Sequence, residues 1–361
     1  MGNSSFNPIV SRREALALMG AGALASLSPM SFAADAKPVQ FLKGAIIRTL
    51  LKDLAPTALS GSAVLFHEHL SLKATRANAN PSEPHFTDDV DMMVEEVRTA
   101  GKEGVGCIVD GGHPDMYRNI DALKRIAKES GVPIVASGGF YMQRTYPAGI
   151  KTLSADQIAE QLIAEAKAQN LGALGEIGQE SGVLTADETK VFQAVGRVQA
   201  KTGLPIFTHN AYTGTRKGAN PVPKEAGLRQ LDALEGAGAK PQQIAIGHMC
   251  CLDDPKAEIG IQLAKRGAFV GFDRVTIQSI IPDASRAAMI MAMVEAGYAD
   301  HVLISSDFYN GASTKKQGGN GVAQAWTVFA PMLLKAGLPD ATLHRIMFDN
   351  PRRFLAFVPK K

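Results

Sequence analysis

His67 and His69 stand one residue apart at the end of an apolar run, Val64-Leu65-Phe66, and Asp307 closes a similar run near the other end of the chain. In an extended strand residues i and i+2 leave by the same face, so the two imidazoles can chelate one cation while Glu68 between them points away. His209, in Phe207-Thr208-His209-Asn210, and His248, in Ile246-Gly247-His248-Met249, also terminate apolar runs, and Glu176 does so in Gly175-Glu176-Ile177-Gly178. Each has a plain structural alternative: a hydrogen-bonded core histidine, or, for Glu176, a rim carboxylate paired with an arginine. Their joint placement favours metal. His67, His69 and Asp307 make one ligand set and His209 with His248 a second, while Glu176 is the anion that two adjacent cations need between them. Zinc is the default ion, and mixed imidazole and carboxylate ligands also suit Mn, Co or Fe. Two such ions about 3.5–4 Å apart share a water, lower its pKa toward 7 and clamp the transition state of a hydrolysis.

These side chains meet only if the runs that carry them are strands of one sheet with their C-terminal ends together. Strands are predicted over residues 63–70, 106–112, 133–140, 173–178, 205–210, 244–249, 268–273 and 301–307. Amphipathic stretches predict helices over 88–103, 120–130, 155–170, 186–202, 224–236, 256–266, 284–296 and 323–335, the last followed by 341–348. In Ser130-Gly131-Val132-Pro133 and Thr202-Gly203-Leu204-Pro205 the glycine stops a helix and the proline restarts the chain extended. Eight βα units predict a single-domain (β/α)8 TIM barrel over residues 37–361, with its site at the C-terminal strand ends. Closure makes the first and eighth strands neighbours, which brings Asp307 to the ion held by His67 and His69. A doubly wound open sheet is the competitor, but no Gly-x-Gly-x-x-Gly follows the first strand to hold a dinucleotide. Residues 78–84 and 310–321 read as loops over one barrel face, Trp326, Phe329 and Met332 as a core stripe, and His113 as a substrate contact.

Composition narrows the rest. The chain has 361 residues, 45% hydrophobic and 20% charged, with a net charge of +3 and no long basic run, which argues against disorder and against a nucleic-acid partner. Three cysteines, two of them adjacent, make no disulfide framework and read as free thiols. Arg12-Arg13 precedes a short apolar run and small-residue cleavage sites, so residues 1–36 read as a twin-arginine export signal, with the export machinery as a partner and a periplasmic or otherwise exported product. That run is too short to span a bilayer and no later stretch replaces it.

Taken together, Phe66-His67-Glu68-His69-Leu70, the Gly-Glu-Ile-Gly of strand four, Thr208-His209, Ile246-Gly247-His248, Gly271-Phe272-Asp273-Arg274, Asp307 and Asp349-Asn350-Pro351-Arg352-Arg353-Phe354 resemble the phosphotriesterase family of the amidohydrolase superfamily. That family includes phosphotriesterases and phosphotriesterase-like lactonases, and the resemblance covers nearly the whole chain after residue 36. It implies that His67, His69 and Asp307 bind the more buried metal and His209 and His248 the more exposed one. It also implies a bridging hydroxide as nucleophile, Asp307 as its proton acceptor, Arg274 near the substrate carbonyl and Tyr141 lining the pocket. Two positions depart from the pattern: Glu176 stands where better-known members carry a carboxylated lysine, and Cys251 where the family often has a relay aspartate. Asp253 nearby is predicted to cap the helix starting near Pro255. The expected activity is hydrolysis of a small-molecule ester-type bond, lactone or carboxylic ester ahead of phosphotriester, with a homodimer as one candidate assembly. The competing readings are a one-metal deaminase using His67, His69, His209 and Asp307, and a non-catalytic exported metal-binding barrel.

Overall fold

The computed structural model describes residues 39–73, 86–215 and 222–360; the predicted export segment and the loop at 78–84 lie outside them. Eight parallel strands pair in sequence order: β1 (Ala63–Glu68), β2 (Val105–Asp110), β3 (Ile134–Gly138), β4 (Ala173–Gly178), β5 (Ile206–His209), β6 (Ile244–Ile246), β7 (Phe269–Phe272) and β8 (Val302–Ile304). Helices α1 (Val90–Lys102), α2 (Ile120–Ser130), α3 (Ala155–Gln169), α4 (Ala186–Thr202), α5 (Ala226–Gly236), α6 (Glu258–Lys265) and α7 (Asp283–Glu295) follow the first seven strands. After β8 a wide π turn, Ala325–Phe329, runs into α8 (Ala330–Lys335). The result is a (β/α)8 barrel.

Local chemistry sets the helix ends. The side chains of Asp89 and Asn119 accept from the backbone of Met92 and Ala122, and Ser154 with Gln157 and Thr185 with Glu188 form reciprocal capping boxes. Each such cap is worth about 1 kcal/mol. Gly131 and Gly203 end α2 and α4 in the left-handed region, φ +78° and +81°, where a side chain would be strained.

Inside the barrel Val64, Phe66, Cys107, Val109, Val135, Ala173, Phe207, Ala245, Phe269 and Leu303 pack as one core. Phe354 plugs it from below, edge-on to Phe66 and to Phe269. Burying each phenyl contributes roughly 1.5–3 kcal/mol. Asn350 donates to the carbonyls of Ala299 and Val302, both at 2.8 Å, pinning the helix Asn350–Leu355 under the start of β8. The closing sequence motif is therefore the floor of the barrel, far from the chemistry.

At the β8–β1 seam the His67 N–H donates to Ser305 Oγ (3.0 Å), Asp307 N–H to the His67 carbonyl (3.2 Å) and His69 N–H to the Phe308 carbonyl (2.7 Å). Glu68 supplies the rest. Its buried carboxylate accepts from Ser306 N–H (3.0 Å), Ser306 O–H (2.8 Å) and Phe308 N–H (2.6 Å). These bonds straddle Asp307, whose φ of +48° is a left-handed conformation that a non-glycine residue keeps only when its surroundings hold it.

Three sequence expectations need correction. Met332 is 38% exposed while Phe329 is fully buried, because a repeat of three falls about 60° short of a full turn at each step and the buried face continues through Ala330 and Leu333 instead. The residue that holds the start of α6 is Asp254, which accepts from Ile259 N–H at 3.0 Å, and not Asp253. A short hairpin, Ile47–Arg48 against Asp53–Leu54, precedes the barrel where no strand was expected.

Candidate metal centre

Two breaks in strand regularity aim the ligands. Register slips between Leu65 and Glu68 on β1 and between Leu174 and Ile177 on β4, the segments that carry His67 and Glu176. Irregularities of this kind re-aim side chains beside active sites. Consecutive residues Phe66 and His67 accordingly both reach the Phe207 ring, at centroid distances of 6.3 and 4.9 Å. Below the imidazoles the backbone of Gly111 leaves room for them, since a Cβ there would stand 3.1 Å from both His67 and His69. Gly247 lets the end of β6 press on β5, where a Cβ would strike the Thr208 carbonyl at 1.9 Å. His248, next in the chain, is held at φ +56°.

The six predicted ligands converge. His67, His69, Glu176 and Asp307 form one group able to hold a cation, and Glu176, His209 and His248 a second, so Glu176 is common to both. Glu176 Oε2 lies 3.2 Å from His67 Nε2, 3.1 Å from His209 Nδ1 and 3.6 Å from His248 Nε2, and its Oε1 lies 3.4 Å from His69 Nε2. Asp307 Oδ1 is 3.1 Å from His69 Nε2 and 3.8 Å from His67 Nε2, while Oδ2 faces Arg274 Nε at 3.1 Å. Tyr141 lies against His209, ring edge to face at 4.9 Å with its hydroxyl 3.5 Å from Nδ1. His113 stays apart, fully buried with Nδ1 3.5 Å from Asp115, and does not line the cluster.

Asp273 is the residue that sequence reasoning left without a role. Its Oδ2 accepts from His67 Nδ1 at 2.8 Å, and its Oδ1 from His248 Nδ1 at 3.1 Å and His248 N–H at 2.6 Å. One carboxylate thus orients one histidine of each group. The only signal was an acidic residue directly after the β7 run, much as Asp307 stands three residues past the end of β8.

Charge decides what this pocket attracts. Glu176, Asp273 and Asp307 are all buried, and the Arg274 guanidinium pairs with Asp307 alone of the three, an excess of negative groups among the described residues. Burial alone would lower His69, yet its bonds to Asp307 and Glu176 raise it to about 10. Burial wins at His209, which falls to about 4 despite Glu176. Burial would raise the Glu176 carboxyl, but the imidazoles around it hold it well below the usual range. The Nε2 atoms of His67 and His248 are buried without a hydrogen-bond partner while Nδ1 of each is committed to Asp273. A histidine whose far nitrogen donates to a carboxylate and whose near nitrogen is free is oriented as a metal ligand. The residues fit divalent cations.

Fold and site together define a (β/α)8 barrel with a candidate metal centre at the C-terminal ends of its strands, and the chain belongs to the phosphotriesterase family, whose sequence model matches residues 48–355. It is similar to the phosphotriesterase homology protein of Escherichia coli (strain K12), 28% identical over 296 residues, covering 80% of this chain and 96% of that one. It is also similar to the N-acetyltaurine hydrolase of Rattus norvegicus, 28% identical over 288 residues, covering 75% of this chain and 79% of that one. The crystal structure of the E. coli protein, with phosphate in its active site, superposes with a TM-score of 0.75 at 26% identity over 82% of this chain and 99% of that one. A resiniferatoxin-binding protein from Rhodobacter sphaeroides gives 0.73 at 29% identity over 86% and 95%.

Proposed function

We propose that this protein is a binuclear metal-dependent hydrolase of ester-type bonds, lactone or carboxylic ester ahead of phosphotriester, exported by the twin-arginine route. The observation that carries the reading is Glu176, a carboxylate shared by two ligand groups at the C-terminal ends of the strands. When bound, two divalent cations, zinc by default, supply Lewis acidity and make a water acidic enough to ionise near neutral pH.

The protein's own groups do the rest. Asp273 holds the Nδ1 proton of His67 and His248, so that in the neutral rings Nε2 is the nitrogen left to bind a cation, aimed at Glu176. Asp307 takes the proton of the attacking water, and Arg274 at 3.1 Å keeps that carboxylate ionised between turnovers. The Arg274 side chain is 20% exposed, so its guanidinium also meets a substrate oxygen as negative charge develops there. Tyr141 walls the His209 side and orients the acyl group.

An amide substrate is the second reading, supported by the 28% identity to a protein named for hydrolysing N-acetyltaurine. The test is a panel on the metal-loaded protein: a γ-lactone, an aryl acetate, an aryl dialkyl phosphate, N-acetyltaurine and an aminopurine. Lactone or aryl ester turnover that a chelator abolishes is the expected result. Turnover confined to N-acetyltaurine replaces ester by amide, deamination alone overturns hydrolysis at an acyl centre, and no turnover at all favours the metal-binding barrel.

A further inference from the structure

Cys250 and Cys251 are adjacent, fully buried and used by nothing in the chemistry above, and their sulfurs lie 4.0 Å apart. They sit on the turn Met249–Cys251 directly after His248. The Cys250 sulfur also accepts the backbone N–H of Arg274 at 3.2 Å, so it ties the end of β6 to the residue that pairs with Asp307. Cys107, the remaining cysteine, lies in the barrel core, away from this turn.

We propose that Cys250 and Cys251 are a modifiable dithiol, which a hydroperoxide oxidises to a vicinal disulfide and which thereby displaces Arg274 and slows turnover. The effect on turnover rests on the hydrolase reading; the oxidation does not. In the first step one sulfur attacks the peroxide, the O–O bond breaks, and a sulfenic acid and water form. The second sulfur then attacks the sulfenyl sulfur, the S–O bond breaks, and hydroxide leaves with the thiol proton as water. Two electrons and two protons pass from the dithiol to the peroxide. Neighbouring Cα atoms are about 3.8 Å apart, shorter than the usual disulfide range of about 4.4–6.8 Å. Closure therefore has to turn the backbone of Met249–Cys251, and the sulfur that anchors Arg274 moves with it. Disulfides formed against the local backbone are the readily reduced, regulatory kind.

The test treats the metal-loaded protein with hydrogen peroxide and follows intact mass, peptide mapping and turnover of the best panel substrate. The expected result is a loss of about 2 Da mapped to residues 250 and 251. A roughly tenfold fall in kcat/KM should accompany it, restored by dithiothreitol and absent in Cys251→Ser. No 2 Da loss overturns the dithiol, and a mapped disulfide with unchanged kcat/KM overturns its link to Arg274. Equal inactivation of Cys251→Ser would place the damage elsewhere. If the panel shows no turnover, the mass measurement still decides the oxidation, so the two readings fail separately.

Discussion

Asp273→Asn keeps the side chain's shape and changes only its hydrogen-bonding chemistry, which makes it the sharpest probe of how the site is held. The native carboxylate accepts from Nδ1 of His67 at 2.8 Å, and from Nδ1 and N–H of His248 at 3.1 and 2.6 Å. An amide has one accepting oxygen. Turned toward the two donors of His248, it leaves its NH2 facing His67 Nδ1, and that ring must then move its proton to Nε2, the nitrogen that faces Glu176. Losing an orienting partner of this kind costs about 10- to 100-fold in metal affinity, or about 1.4–2.7 kcal/mol. The loss should fall mainly on the ion held with His67 and His69. Zinc competition against a chelating dye reads both affinities, and circular dichroism checks that the variant is folded. Unchanged affinity at both positions would refute the claim that Asp273 sets the tautomers of the two histidines.

Arg274→Ala should retain full metal content and lower kcat/KM by roughly 10- to 1000-fold, the cost of a lost charge-assisted contact to a developing oxyanion; loss of metal would contradict that role. Glu176→Gln removes the anion between two cations whose repulsion is large in a buried site, so elemental analysis should show metal content falling by about half, with the ion on His209 and His248 leaving first. Retention of both ions with near-native turnover would make Glu176 a rim carboxylate. Arg12→Lys with Arg13→Lys should leave a full-length precursor in the cytoplasm on immunoblots of cell fractions, and processed protein outside it would overturn the export reading.

Much of this site was legible because each ligand ends an apolar run, and apolar runs at βα spacing specify strands whose C-terminal ends share one face. Period-two alternation correctly turned Glu68 away from His67 and His69. It could not show where Glu68 goes, since its partners Ser306 and Phe308 are joined to it only through barrel closure. The slips on β1 and β4 were hidden for a related reason: an irregular register belongs to a pair of strands and not to either sequence alone. Asp273 went unassigned because its role depends on two histidines drawn from different strands, β1 and β6. Met332 was misplaced because a repeat of three drifts around a helix of 3.6 residues per turn, and the buried face runs through Ala330 and Leu333. The hairpin before the barrel escaped because strands of two residues carry no periodicity.

The central claim is that one buried carboxylate joins two metal positions in a working hydrolase. Metal stoichiometry of the reconstituted, active protein, measured by plasma mass spectrometry against amino-acid analysis after removal of loose ions, tests it most directly. The account predicts about two divalent ions per chain, with activity rising as the second position fills. Full activity at one ion per chain would contradict it and leave the one-metal reading standing.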